Sequence, residues 1–183
     1  MTVLVSMLRG INMGPHHRIR MESLRQLYED LGLRDVASYL QSGNVVFRTA
    51  GRNPGRIGAQ IEKAIEATFG FHSDVLLRTT AELRAVTAAN PFADRAGIEP
   101  AKLAVTFLAA APAAEASEKL LSVRIAPEEL YIRGREIFIY FPNGMARPKL
   151  PLGLIDRTVK MPNTGRNWNT VNKLLEMAEK LEA

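Results

Sequence analysis

Three short stretches of this chain concentrate the residue types that bind ligands. They are rich in Gly, Asn and Arg and span residues 8–14, 41–44 and 164–170. Such residues allow tight turns and donate hydrogen bonds to oxygen atoms, and loops at the ends of regular elements often carry binding sites. The chemistry they favour is the binding of an anionic or polar ligand, and none of the stretches encodes a known reaction. The candidate contact residues are Arg9, Asn12, Gln41, Ser42, Asn44, Arg147, Lys149, Thr164, Arg166, Asn167 and Asn169.

The third stretch precedes an apolar helical stripe that starts at Trp168, so we expect it to form the loop that opens the last helix. Thr164, Asn167 or Asn169 could cap this helix through a side-chain oxygen. A helix start attracts anions, and the planar guanidinium of Arg166 suits phosphate or carboxylate. In the alternative interpretation the Thr and Asn residues are only caps, Trp168 belongs to the core, and Arg166 forms a structural ion pair.

The positive charge of the chain is unevenly distributed. The formal net charge is +5, yet residues 9–20 contain three arginines and no acid, and residues 143–173 contain six basic residues and one acid. A local positive field attracts anions and speeds their encounter. In the alternative interpretation these basic residues are scattered over a solvated surface, because no run is dense enough to be a nucleic-acid-binding tail.

The composition excludes several classes of chemistry. The chain has no cysteine, so disulfides, thiol catalysis and thiolate metal sites are absent. Residues 10–15 hold two glycines after a strand, but they lack the Gly-Lys-Ser/Thr ending of a P-loop and the third glycine of a dinucleotide fingerprint. His16 and His17 are adjacent and His72 is distant, so we predict no metal and no cofactor. Ser42 has no assignable base, and no Gly-x-Ser-x-Gly elbow occurs.

The sequence shows no sign of membrane insertion or export. No apolar run approaches the length needed to cross a bilayer, and the first apolar run, residues 3–8, has neither a basic segment before it nor a cleavage site after it. We therefore expect a cytoplasmic protein with no membrane partner. The sequence does not specify an oligomeric state.

The first half of the chain follows the element order β-α-β-β-α-β. Apolar periodicity predicts strands at 3–8, 36–40, 45–48 and 75–78, and helices at 21–31 and 57–69. This order is the split βαβ, or ferredoxin-like, unit, in which neighbouring strands are antiparallel and lie in the order 4-1-3-2. Strands 1 and 2 then point the same way. We therefore expect residues 9–14 and 41–44 to be neighbours at one end of the sheet.

The second half partly repeats this order. Thr79 and Glu82 form a predicted capping box that opens a short helix. Strands are predicted at 102–108, 130–133 and 136–141, and helices at 115–123, 150–159 and 168–181. We predict an α+β protein of two packed ferredoxin-like subdomains, residues 1–79 and 80–183, with a C-terminal amphipathic helix.

Together and in this order, the motifs resemble the bacterial family known as domain of unknown function 1697. That family typically carries a Leu-Arg-Gly-Ile-Asn-Val-Gly-Gly start, a Tyr-Leu-Gln-Ser-Gly-Asn-Val-Val-Phe hairpin and a Thr-x-Arg-Asn-Trp-Asn-Thr-Val-x-Lys-Leu end. Residues 8–14, 39–47 and 164–174 match these motifs, and residues 141–150 resemble a fourth family segment. The resemblance implies two α+β subdomains with a ferredoxin-like arrangement and brings no established activity.

The chain departs from the family pattern at four positions. Met13 replaces Val, Pro15 replaces the second Gly of a pair, His17 stands where Asn is common, and Pro148 replaces Ser before a lysine. Pro15 removes a backbone N–H that could bind a ligand, and Pro148 removes a hydroxyl.

Three functions agree with these features. The first is a binding module for an anion, either a phosphorylated small molecule or the backbone of a nucleic acid. The second is an enzyme in which Arg9, Asn12, Gln41, Asn44 and Arg166 hold a substrate and stabilise developing negative charge. The third is a structural or interaction protein in which the same residues serve as turns, caps and core.

Overall fold

The computed structural model describes residues 1–151 and 153–183. Its strands are β1 (Thr2–Leu8), β2 (Arg34–Tyr39), β3 (Asn44–Thr49), β4 (Val75–Thr79), β5 (Leu103–Leu108), β6 (Glu129–Arg133), β7 (Glu136–Tyr140) and β8 (Asn163–Asn167). Its α-helices are α1 (Met21–Asp30), α2 (Pro54–Phe69), α3 (Thr80–Ala88), α4 (Ala114–Ser122), α5 (Leu154–Val159) and α6 (Trp168–Glu182). A 3₁₀ turn at Pro100–Lys102 precedes β5.

The first sheet has the strand order β2-β3-β1-β4, and each neighbouring pair is antiparallel. Alternate residues of β1, including Leu4 and Leu8, pack with the apolar stripes of α1 and α2 in a buried core. The remaining residues of β1 are buried as well, so this strand is central and covered on both faces, as its continuous apolar run predicts. The strand order is that of a split βαβ unit.

The second sheet has the strand order β6-β7-β5-β8, again with antiparallel neighbours. Its core contains buried residues of β5, β7, α4 and α5, among them Leu108, Leu120 and Ile139. The order again matches a split βαβ unit. The predicted fold class, two ferredoxin-like arrangements with a C-terminal helix, is therefore confirmed.

The chain divides into two compact units. Unit 1 comprises Met1–Arg84 and Lys173–Ala183, and unit 2 comprises Ala85–Asn172. Within unit 1, Arg84 of α3 pairs with Glu179 and Glu182 at the end of α6. The predicted division into folding domains, 1–79 and 80–183, stays a prediction.

The structure corrects two features predicted from the sequence. Asn163–Asn167 form the edge strand β8, where the sequence predicts an open loop. The prediction is wrong because the buried positions of this strand are polar and produce no apolar alternation. The helix predicted at 150–159 is shorter, Leu154–Val159, and residue 152 of the predicted range lies outside the described residues. No helix in the described part of the chain is long and apolar enough for a membrane span.

Candidate functional site

The loop that follows β1 lies against the turn that follows β2. The backbone N–H of Leu8 donates to the carbonyl of Gly43 at 2.9 Å, and the side-chain amide of Asn12 donates to the carbonyl of Gln41 at 2.7 Å. These bonds join the loop between β1 and α1 to the turn that follows β2. The predicted neighbourhood of residues 9–14 and 41–44 is confirmed, and its cause is the parallel direction of β1 and β2.

Asn12 shapes this loop through all of its side-chain polar atoms. It has a left-handed backbone with φ 54°, a conformation that Asn tolerates better than most residues. Its Nδ2 donates to the carbonyls of Ile19 and Gln41, and its Oδ1 accepts from the N–H of Ile19 at 2.9 Å. The amide of Asn12 is therefore engaged inside the chain.

The hairpin turn occupies residues 40–43, one residue earlier at both ends than the predicted 41–44. Tyr39 pairs with Asn44, and the buried Asn44 donates to the Tyr39 carbonyl and to Ser42 Oγ, each at 2.9 Å. Gly43 has φ 78°, and an added Cβ would lie 2.7 Å from Leu8 Cβ. Ser42 and Asn44 thus hold the turn in shape, and the side chain of Gln41 is exposed.

A small cluster of charged groups lies beside this loop. Arg9 Nη1 is 3.8 Å from Asp74 Oδ2, and His72 Nε2 is 3.0 Å from Asp74 Oδ1. The hydrogen bond to Asp74 raises the pKa of His72 above its ordinary value. The ring of His17 stacks on Phe71 with centroids 4.3 Å apart. Asp74 thus offsets part of the positive charge predicted for residues 9–20.

In unit 2, the third sequence stretch forms β8 and the start of α6. Arg166 is 8% exposed, and its Nη1 donates to Thr164 Oγ1 and to the Gly165 carbonyl, each at 2.7 Å. Burial lowers the pKa of Arg166 to about 10. Asn167 Oδ1 accepts from the N–H of residue 170 at 2.9 Å and caps α6, whereas Asn169 is exposed. Arg166 is therefore part of the sheet and not of an open helix start.

Arg78 occupies the position in β4 that Arg166 occupies in β8. Arg78 lies opposite Val5 of β1, and Arg166 lies opposite Val105 of β5. Arg78 is 2% exposed, and its Nη1 also donates to the carbonyl of the preceding residue. In both strands the next residue caps the following helix. The sequence prediction did not include Arg78. The pattern that could have identified it is an Arg followed directly by the residue that caps the next helix.

Arg147 and Lys149 have exposed side chains on the segment between β7 and α5. This segment is anchored by the buried carboxylate of Glu128, whose Oε1 accepts from the N–H of Lys149 at 2.5 Å and whose Oε2 accepts from the N–H of Leu150 at 2.7 Å. The two cations are thus presented to solvent on a backbone that an internal acid holds in place.

A cavity of about 300 Å³ between α4 and α5, which we call the α4–α5 cavity, carries an excess of cations. Its described lining residues include the basic residues Lys119, Arg157 and Lys160 and one acidic residue, Glu115. Within the described residues, the buried Oγ1 of Thr158, another lining residue, has no hydrogen-bond partner. Sequence reasoning placed Arg157 and Lys160 in a basic stretch but did not select them as contacts, because their proximity to Lys119 depends on helix packing.

Other cavities have the opposite charge character. A cavity of about 510 Å³ beside α1 has Glu22 and Asp30 as its charged lining residues. A cavity of about 450 Å³ along β6 has Glu128 and Glu129 against Arg124. The described residues contain no cluster of three His, Asp or Glu side chains suited to a metal ion.

Comparison with known proteins supports the fold and adds no activity. The model of the family described as "Protein of unknown function (DUF1697)" matches residues 1–138. A conserved bacterial protein, SP0830 from Streptococcus pneumoniae, has a similar structure with a TM-score of 0.73 and 24% sequence identity, over 98% of this chain and 99% of that chain. No curated protein is significantly similar in sequence.

Proposed function

We propose that this chain, which belongs to the DUF1697 family of proteins of unknown function, binds a small anionic ligand that carries phosphate groups. The observation that carries the proposal is the α4–α5 cavity, whose described lining contains three basic residues and one acidic residue. A concave site with converging charges of one sign concentrates ligands of the opposite sign.

The backbone at this cavity adds to its affinity for anions. Ala113, a lining residue, precedes α4 and provides no side-chain cap, so no side-chain oxygen from this position accepts hydrogen bonds from the first N–H groups of the helix. Such N–H groups and the positive end of the helix dipole favour a phosphate or carboxylate. The guanidinium of Arg157 and the ammonium groups of Lys119 and Lys160 supply charge-assisted hydrogen bonds.

The size of the cavity favours a small ligand. A volume of about 300 Å³ is at the lower end of the range for ligand sites. A phosphomonoester or a diphosphate suits such a volume better than a polymer. Arg147 and Lys149, exposed in the same unit, are proposed to raise the local positive potential. Arg9, Gln41 and Asn169 do not line this cavity, and their role in ligand binding stays a prediction.

The other candidate residues are proposed to act through the shape of the backbone. These residues all use side-chain atoms in hydrogen bonds within the chain: Asn12, Ser42, Asn44, Thr164, Arg166 and Asn167.

We propose that the protein acts in the cytoplasm, where phosphorylated metabolites are present and where a protein without cysteine needs no disulfide bonds.

Thermal-shift measurements with inorganic phosphate, pyrophosphate, sugar phosphates, nucleotides and a short oligonucleotide test this proposal. A ligand that binds only the folded state at about 100 times its Kd adds about 2.7 kcal/mol of stability. We expect a small phosphate to raise Tm, and the double variant Lys119→Gln/Lys160→Gln to abolish that rise. The matched control is Arg52→Gln, which removes an exposed charge in unit 1.

Two results would contradict the proposal: no phosphate compound raises Tm, or the rise survives in the double variant. An oligonucleotide that outcompetes the small phosphates, with affinity that falls steeply as salt increases, would favour nucleic-acid binding instead.

A further inference from the structure

Strand β6 is an edge of the second sheet and has a regular backbone. It pairs with β7 over five consecutive residue pairs without a register shift. The corresponding edge of the first sheet, β2, is interrupted by a shift between Arg34 and Ala37, where Asp35 has φ 52°. Bulges of this kind prevent edge-to-edge association. Only one of these two corresponding edges is therefore irregular, and β6 remains suited to pairing with another strand.

The β6–β7 turn determines which backbone groups of β6 point outward. Gly134 and Arg135 form a two-residue turn, so Arg133 and Glu136 are the hydrogen-bonded pair that closes the hairpin. Pairs alternate along an antiparallel ladder, so every second residue of β6 directs its N–H and C=O away from β7. Those residues are Leu130 and Ile132.

The side chains of β6 complement their own sequence read in reverse. The strand reads Glu129, Leu130, Tyr131, Ile132 and Arg133. If two copies pair antiparallel about Tyr131, each Glu129 lies opposite Arg133 of the second copy, and each Leu130 lies opposite Ile132 of the second copy. Opposite charges and apolar pairs at facing positions stabilise a sheet.

Backbone and side chains require the same register. Arg133 Nη1 donates to the outward carbonyl of Ile132 at 3.1 Å within one chain, so pairing requires this guanidinium to turn towards Glu129 of the second copy. The outward groups of Leu130 and Ile132 then form hydrogen-bonded pairs across the two-fold axis. The charged residues then occupy non-hydrogen-bonded pairs, in which side chains lie closest. A register shifted by one residue would lose both the hydrogen bonds and the charge pairing.

The surroundings of β6 also favour this partner. Leu130 and Ile132 are only partly buried against the unit 2 core. Leu121 of α4, 57% exposed, lines the cavity of about 450 Å³ that runs along the strand. Apolar side chains from a second copy would continue this surface. Both carboxylate oxygens of Glu129 accept from Arg95, at 2.7 and 2.8 Å, so Arg133 of the second copy would share this carboxylate with Arg95.

We propose that two copies of this chain associate through antiparallel pairing of β6 about Tyr131, which joins their second sheets into one eight-stranded sheet. This surface is separate from the proposed anion-binding cavity. The proposal therefore stands or fails independently of that function.

Charge reversal tests the pairing through sedimentation of the full chain. We expect the wild type to sediment at twice its 20.2 kDa mass over the micromolar range. Arg133→Glu alone and Glu129→Arg alone each place like charges opposite one another and should weaken self-association at least about tenfold. An equal mixture of the two variants restores opposite charges at both contacts and should form heterodimers. Arg52→Glu, an exposed reversal in unit 1, should leave the mass unchanged.

A cysteine substitution tests the register even if one charge variant fails to fold. The chain contains no cysteine, so Tyr131→Cys introduces a single thiol that faces its own copy across a non-hydrogen-bonded pair. A mild oxidant should convert this variant to a covalent dimer, whereas Arg52→Cys should form no disulfide-linked dimer. Three results would overturn the proposal. They are a wild type that is monomeric at every concentration, a dimer that neither charge-reversal variant weakens, and a Tyr131→Cys variant that does not cross-link.

Discussion

The side-chain amide of Asn12 donates a hydrogen bond to the main-chain carbonyl of Gln41 at 2.7 Å, across 29 residues of sequence. This bond joins the loop after β1 to the turn after β2. It holds together two motifs that the parallel direction of β1 and β2 brings to the same end of the sheet. It also shows that Asn12 contributes its side chain to the loop and that Gln41 contributes its backbone.

Replacement of Asn12 should therefore destabilise the protein. Asn12→Ala removes three side-chain hydrogen bonds and leaves a left-handed backbone on a residue that tolerates it poorly, so we expect a loss of about 2–3 kcal/mol. Urea denaturation gives the free energy of unfolding. The matched variant Gln41→Ala keeps the accepting carbonyl and should change stability by less than about 0.5 kcal/mol. Equal losses in the two variants would contradict the assignment.

Gly43 should tolerate no side chain. In Gly43→Ala the new Cβ would meet Leu8 Cβ at 2.7 Å and Ile11 Cδ1 at 2.8 Å, at a φ of 78°. We expect a loss of about 3 kcal/mol or more, because steric overlap adds to backbone strain. Gly14→Ala is the reference, since its φ is 96° but no atom lies within 4 Å of the added carbon. The difference between their unfolding free energies measures the overlap; no difference would show that the loop simply moves aside.

Glu128 should control the order of the segment that carries Arg147 and Lys149. Its two carboxylate oxygens accept from the consecutive N–H groups of Lys149 and Leu150. In Glu128→Gln one oxygen becomes a donor, so one N–H loses its acceptor, at a cost of about 1–3 kcal/mol. Hydrogen exchange should accelerate at these two amides and remain unchanged in β1. Unaltered exchange at both amides would disprove the anchoring role.

The His72–Asp74 pair should make stability depend on pH. Hydrogen bonding to Asp74 raises the folded-state pKa of His72 above its unfolded value of about 6.5. The stabilisation is then fully present below about pH 6.5 and is lost as pH rises through the folded pKa. His72→Gln should lower Tm most in acid and least in mild alkali.

An NMR titration of the His72 imidazole provides the direct measurement of this effect. Its midpoint should be higher in the wild type than in Asp74→Asn. Identical midpoints in the two proteins would exclude the coupling.

The local sequence pattern was sufficient to predict most of the helices and strands. The apolar periodicities of β1, α1 and α2 reflect which side of each element is buried, and that information is present in the sequence itself. Topology then carried the inference further. Once the order β-α-β-β-α-β is recognised, the direction of β1 and β2 places residues 9–14 beside 41–44 without any knowledge of side-chain packing.

What depended on tertiary structure was the environment of the polar residues. Arg166 is a residue type that often contacts anionic ligands, yet its side chain is buried in β8. The sequence does not show this, because the burial of a residue depends on which elements pack over it. The same holds for the α4–α5 cavity. Lys119 and Lys160 line this cavity together only because two helices that are distant in sequence pack against each other. Hydrophobic pattern is a local property that the chain encodes directly, whereas convergence of charges depends on long-range packing and follows only from the folded structure.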